Sequence, residues 1–179
     1  LNIFYTDPSP EISAQNLVDK HCVKMIVETA QLLSTAHRVL DGKPIIVPNE
    51  NGRKMKRWIL DDSRDGILMK ATHINHPSAI WCRQTSGNYD WLYRHFCCIL
   101  EEYKYRYCKN HKCEQLVKPL FRLPNNIVLD NFTEPTPAMD KKYIISESSV
   151  ENYRNYYKNG KQHLFNWKNR KPPDWINIC

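Results

Sequence analysis

The stretch from Gln15 to Asp41, QNLVDKHCVKMIVETAQLLSTAHRVLD, constrains this chain more than any other. No Pro or Gly interrupts it, and Gly42 stands where a C-terminal cap glycine stands, so it reads as one long helix. Apolar residues cover most of its circumference, from Leu17 and Val18 through Met25, Ile26 and Leu33 to Val39 and Leu40, and a helix apolar nearly all round is buried. One strip differs. At about 100° per residue, His21, Lys24, Glu28, Gln31 and Thr35 share a sector of roughly 80°. Buried ionisable side chains must be satisfied internally or face a cleft. The strip is therefore either a row of satisfied core polars or the floor of an active site.

The surrounding chain predicts a mainly α fold: one compact domain over residues 1–179, with a long buried N-terminal helix and a few short strands or a hairpin. NIFY at Asn2–Tyr5 reads as a short extended start, followed by a turn through Pro8 and Pro10, with Ser9 or Ser13 to cap the helix. Residues 43–70 read as a surface excursion carrying the basic cluster Arg53, Lys54, Lys56 and Arg57, with a hairpin pairing RWIL with ILMK. Pro77 suits the first turn of a helix capped by Asn75 or His76. After Thr85-Ser86-Gly87, Tyr89, Leu92, Tyr93, Phe96, Ile99, Leu100, Tyr103 and Tyr107 repeat at helical spacing to about Cys108, with Glu101, Glu102, Lys104 and Arg106 on the wet side. A short helix spans Glu114–Phe121, NIVLD is a candidate strand, and Ser148 or Ser149 opens a last helix that KQHLFNWKNRK continues past Gly160. There is no βαβ rhythm, no glycine-rich phosphate loop and no run of membrane length, so neither a nucleotide cofactor nor a membrane partner is expected.

The net charge of +7 points to a polyanionic partner, and ten Tyr and five Trp among basic residues suit stacking on bases. Seven Cys is an odd number, which fits free thiols in a reducing cytoplasm better than a disulfide framework. Cys108, His111 and Cys113 lack a zinc spacing and a second half, and His21, His37, His73 and His76 form no HxxxH or HxH pair, so no metal is expected.

Three groups carry the candidate chemistry. The first is the helix strip, with Glu28, His21 and Lys24. The second is His73, Asn75, His76, Trp81, Arg83 and Asn88, a concentration of His, Asn and Arg at a helix start whose free N–H groups suit a phosphate. There Arg83 would clamp a phosphate, while Asn75 offers a donor and an acceptor to a base edge. The third is Asp7, a carboxylate in a Pro-rigidified turn, placed either to activate water or to make an Asx turn.

The runs NIFYTDPSP, DKHCVKMIVETAQLLSTAHRV, THINHPSAIWCRQTSGNYDWL and EEYKYRYCKNHK are similar to those of small phage and bacterial proteins. The layout as a whole resembles the pyrimidine-dimer DNA glycosylases of the phage endonuclease V kind: small basic α-proteins with an extended N-terminus, a long N-terminal helix, an H-P region and a long second helix. Tyr156, Tyr157 and Gly160 resemble their aromatic C-terminal end. That family uses a processed N-terminal amine as nucleophile and a Glu near the start of the helix. Here Asn2 after an initiator Met would normally block Met removal, and Glu28 sits about a turn later, so imine chemistry is not carried over.

These observations together predict a cytoplasmic DNA glycosylase that hydrolyses the N-glycosidic bond of a damaged or hypermodified base in duplex DNA, phage DNA included, leaving an abasic site. Glu28 or Asp7 would take the carboxylate role, and His21 or His76 would donate to the departing base. Asn75 and Trp81 would line the pocket, Lys24, Arg53, Lys54 and Arg83 would hold phosphates, and His73, Lys56 and Arg57 would also contact the DNA. A base-modifying transferase and a non-catalytic DNA-binding protein are the alternatives.

Overall fold

The computed structural model describes residues 1–176. Among them are seven α-helices and one two-stranded hairpin. After an extended head come α1 (Pro10–Gln15) and α2 (Asp19–Asp41), then β1 (Lys43–Pro48), β2 (Lys54–Ile59) and α3 (Arg64–Ile67). Next are α4 (Pro77–Gln84), α5 (Ser86–Tyr107), α6 (Val117–Leu120) and α7 (Ser149–Gly160). α2 is the central element, packed against α5 and α4, while α1 packs on α5. Ser9, Ser148 and Pro77 start their helices as expected, while α5 starts at Ser86, inside the Thr85-Ser86-Gly87 break and not after it. The Ser9 hydroxyl accepts from Ile12 N–H, Thr85 from Asn88 N–H and Ser148 from Glu151 N–H, while Pro10 and Pro77 occupy first turns.

The long helix is not continuous. α1 ends at Gln15, and α2 restarts at Asp19 after an extended Val18 (φ −61°, ψ 156°). Donors from distant parts of the chain satisfy the three carbonyls at the break. The Arg106 guanidinium donates to Gln15 O at 3.0 Å and to Leu17 O at 2.7 Å, and Trp167 Nε1 donates to Asn16 O at 3.0 Å. With those acceptors taken, the helical ladder has no advantage there.

The same contacts correct the wet side of α5. Glu102 and Arg106 are buried, Arg106 Nε donating to Glu102 Oε1 at 2.7 Å, with Arg170 closing on Glu102 Oε2 at 2.8 Å. Paired and hydrogen-bonded, both charges tolerate burial.

The hairpin is also placed differently. Arg57, Trp58 and Ile59 of RWIL pair backwards with Ile45, Pro44 and Lys43, in the register that also sets Ile46 against Lys56, and the following segment coils into α3. Arg38, 3 % exposed, fixes this arrangement by donating to the carbonyls of Trp58, Asp65, Leu68 and Met69 and to the Asp65 carboxylate. NIVLD forms no strand; its Val128 and Asp130 carbonyls accept from Ser86 and Gly87 N–H at the start of α5. A Cβ at Gly87 would collide with the Phe132 backbone.

α7 stops at Gly160 instead of continuing. A Cβ there would sit 2.8 Å from the Tyr156 ring and 2.9 Å from the Tyr143 hydroxyl. No helix among the described residues is long and apolar enough to cross a membrane.

Candidate active site around Glu28

α2 presents its polar strip to three separate segments. At one end His21 stacks on Phe4, with ring centroids 4.3 Å apart, and its Nδ1 lies 2.7 Å from the Tyr157 hydroxyl. At the other end the Thr35 hydroxyl accepts from Thr72 N–H at 3.2 Å, tying down the loop that carries His73, Asn75 and His76. Between them sits Glu28, the tenth residue of α2. Because α2 starts at Asp19 and not Gln15, Glu28 lies about one turn nearer its helix start than the sequence implied.

The Glu28 carboxylate is largely buried. Its Oε2 accepts from Asn2 N–H at 3.0 Å and lies 4.0 Å from the Leu1 nitrogen, and its Oε1 is 3.3 Å from Lys24 Nζ. The Lys24 side chain is 67 % exposed against 12 % for Glu28, so the carboxylate is sheltered while the ammonium reaches the solvent.

His76 lies near enough for the Glu28 charge to act on it. Burial holds its imidazole below the ordinary histidine range, and the positive charges of the chain head and His73 add to that while Glu28 opposes it. Its Nδ1 accepts from Ser78 N–H at 3.2 Å as the cap of α4, which leaves Nε2 to carry the hydrogen of the neutral ring.

Two backbone outliers lie in the chain head and the His73–His76 loop, the segments that meet the polar strip of α2. Phe4 (φ 55°) and His73 (φ 48°) both occupy the left-handed region, which costs a non-glycine residue about 1–3 kcal/mol. At the chain head the strain is held by Asn2. Its Oδ1 accepts from Ile3 N–H at 2.8 Å and Phe4 N–H at 3.2 Å, and its Nδ2 donates to Ala138 O at 2.8 Å. The reversal turns Asn2 N–H onto Glu28. Strained residues of this kind concentrate at functional sites.

The other candidates fall elsewhere. His21 is 6 % exposed, and burial lowers its pKa to about 4, so it is a neutral packed imidazole two turns from Glu28. Asp7 makes an Asx turn, accepting from Ser9 N–H at 2.9 Å, and pairs with Arg154 at 3.2 Å. Trp81 is 1 % exposed, and its indole N–H donates to Thr133 O at 2.8 Å. Asn88 is fully buried, donating to Trp81 O at 3.0 Å and accepting from Thr133 N–H at 2.8 Å. Arg83 is half-buried, with Nη1 on Ala79 O at 3.0 Å, while Asn75 and His73 are exposed beside His76. Arg53, Lys54, Lys56 and Arg57 all lie on the hairpin beyond the far end of α2.

The structure therefore brings Glu28, Lys24, His73, Asn75 and His76 to one region. The head of the chain belongs there too, and sequence reasoning missed it. Four residues carry no periodic signal; the available cue was Asn2 itself, because Asn readily hydrogen-bonds neighbouring backbone in place of regular structure. Chemically, this arrangement offers a sheltered carboxylate, an imidazole within reach of its charge and an exposed cation.

No curated protein and no solved structure matches the chain. A family model described as pyrimidine dimer DNA glycosylase matches residues 1–115, a span that includes the chain head, α2, the His73–His76 loop, α4 and α5. That match covers well over half of the 179 residues, and every group at the Glu28 centre lies within it: the chain belongs to the pyrimidine dimer DNA glycosylase family.

Proposed function

We propose that this protein is a DNA glycosylase that excises a damaged or hypermodified base, leaving an abasic site, with Glu28 as its catalytic carboxylate. One observation carries the assignment: a largely buried carboxylate is paired with an exposed cation and acts electrostatically on the His76 imidazole, inside the part of the chain that matches the family. As the N-glycosidic bond breaks, its electron pair leaves with the base and positive charge develops on the sugar, which a carboxylate stabilises. Glu28 serves that role and holds the attacking water. His76 Nε2–H donates to the departing base. The base leaves the helical stack to reach them, while Lys24, His73 and Asn75 hold the flanking strand.

Lys24 Nζ is held 3.3 Å from Glu28 and reaches solvent, so Lys24 is assigned to a phosphate and not to covalent attack on the sugar. The enzyme is then monofunctional, and strand breaks appear only after heat or alkali. The test uses unmodified, ultraviolet-irradiated and hypermodified phage DNA, scoring abasic sites with the parent and with Glu28→Gln. Excision from irradiated DNA alone supports repair; excision from hypermodified DNA supports anti-phage defence. No abasic sites on any of the three overturns the glycosylase reading.

A specific observation favours a second, covalent route. The nitrogens of Leu1 and Asn2 flank Glu28 Oε2 at 4.0 and 3.0 Å. In a mature chain headed by either residue, an α-amine would stand there. It would bond to C1′ as the base departs, giving an imine after the sugar ring opens and setting up strand cleavage. Borohydride trapping decides between the routes: an adduct that maps to the N-terminal peptide and survives Lys24→Ala establishes the covalent one.

A further inference from the structure

The β1–β2 hairpin stands apart from the Glu28 centre, and the chemistry above makes no use of it. Residues directly opposite in an antiparallel pair share a face. The register therefore puts Pro44, Ile46, Pro48, Lys54, Lys56 and Trp58 on one side of the ribbon. All but Trp58 are exposed, and Ile46 reaches 71 %. Lys56 Nζ lies 5.0 Å from the Trp58 ring centre, which holds that ammonium over the ribbon's surface. Between residues 43 and 59 stand five basic side chains against the one carboxylate of Glu50, a large share of the net charge of +7. A bare Ile bracketed by two prolines and flanked by lysines is a poor surface for a protein that stays alone in water. A face of the same make-up suits a nucleic-acid groove, where an apolar side chain enters between base steps and lysines meet the phosphates on either side.

We infer that this hairpin is a duplex-DNA arm: Ile46 wedges into a groove, with Lys54 and Lys56 on the adjoining phosphates, at a point on the duplex away from the base being excised. The inference rests on the glycosylase reading of the Glu28 centre and extends it to a second contact. The spacing follows from α2. From Glu28 to Asp41 the helix rises about 20 Å at 1.5 Å per residue. That is about six base pairs at 3.4 Å each. The arm is carried rigidly, because Arg38 of α2 donates to Trp58 O at 2.9 Å and to Asp65, whose carboxylate accepts from Leu60 N–H. The contact therefore lies on one side of the target only.

The experiment uses the full chain and synthetic duplexes with one central target base, shortened in steps from either end. For the parent, affinity is expected to fall at least tenfold when one flank is cut below about six base pairs, and to change little when the other flank is cut. Lys54→Ala/Lys56→Ala should bind the long duplex at least tenfold more weakly, with a salt slope shallower by about two, and should lose the flank dependence. Ile46→Ser should keep the salt slope while losing the unstacking reported by 2-aminopurine placed in the arm-side flank. All three positions are exposed, so matching circular dichroism and melting curves are expected of the variants. Long-duplex affinity unchanged in both variants, or a symmetric flank dependence in the parent, overturns the arm while leaving the Glu28 reading standing. A parent that neither binds duplex DNA nor excises a base overturns both.

Discussion

The backbone N–H of Asn2 donates to Glu28 Oε2 at 3.0 Å, joining the head of the chain to the middle of α2 across 26 residues of sequence. The bond aims the carboxylate and brings the chain's first nitrogens to it. Glu28 stays partly open because its other partner, Lys24, stands in solvent.

Glu28→Gln separates a catalytic carboxylate from a structural one. The amide keeps an acceptor for Asn2 N–H, and water screens the released Lys24. Stability should shift by about 1 kcal/mol or less. Excision should fall by about a hundredfold or more, the scale for losing a positioned acid or base. A melting temperature several degrees lower with excision intact would instead make Glu28 a packing residue.

Asp7→Asn tests the competing carboxylate. The Asx turn survives, since the amide oxygen still accepts from Ser9 N–H, but the pair with the partly exposed Arg154 loses its charge. The expected outcome is a stability loss of about 1 kcal/mol or less and excision within a few-fold of the parent. A folded and inactive Asp7→Asn beside an active Glu28→Gln would move the catalytic centre to the turn before α1.

Arg106→Met asks what makes the break between α1 and α2. The substitution leaves Gln15 O and Leu17 O without their donor and Glu102 without its nearest buried cation, with Arg170 still on its outer side. The cost should be about 3–5 kcal/mol, read as a shift in the urea midpoint at unchanged slope. A loss below about 1 kcal/mol would show that the break stands without the guanidinium.

Acid should destabilise the fold early. Burial lowers His21, His37 and His95 to about 4 from 6.5. Folded pKa values below the unfolded one mean that the unfolded chain takes up these protons first. Their contribution is fully present above about pH 6.5 and is lost as the pH falls towards 4. Melting temperature should be flat from pH 8 to 7 and then drop by about 5 °C or more by pH 5. For His37, Arg64 Nη1 donates to Nδ1 at 2.9 Å and the Tyr89 hydroxyl lies 2.8 Å from Nε2, so protonation would set a cation against a guanidinium. A profile flat down to pH 5 would show that these imidazoles gain solvent or partners on protonation.

Much of the fold was legible because the signals are local. Caps at Ser9 and Ser148 bond within three residues, Pro77 presets a first turn, and the spacing of Tyr89 to Tyr107 reports one helix. The hairpin was expected in the right excursion but with the wrong partner, because alternation says that a strand exists and not what it pairs with. Arg38, reaching from α2 to four carbonyls between Trp58 and Met69, is what separates the two pairings.

The sequence by itself determined that α2 is buried, that it carries one polar strip with Glu28 on it, and that a His-rich helix start follows at Pro77. Periodicity fixes which side chains share a face, and caps act over a turn or less. Only the tertiary structure decided what each polar group meets. His21 was closed off by Tyr157, 136 residues away, and Glu102 and Arg106 were buried as a pair. The helix was cut at Leu17, whose carbonyl is held by a donor 89 residues away, and the chain head was laid against Glu28. A buried polar group costs several kcal/mol unless paired. Its pairing therefore decides whether a strip is core or site, and that partner is set by the whole fold.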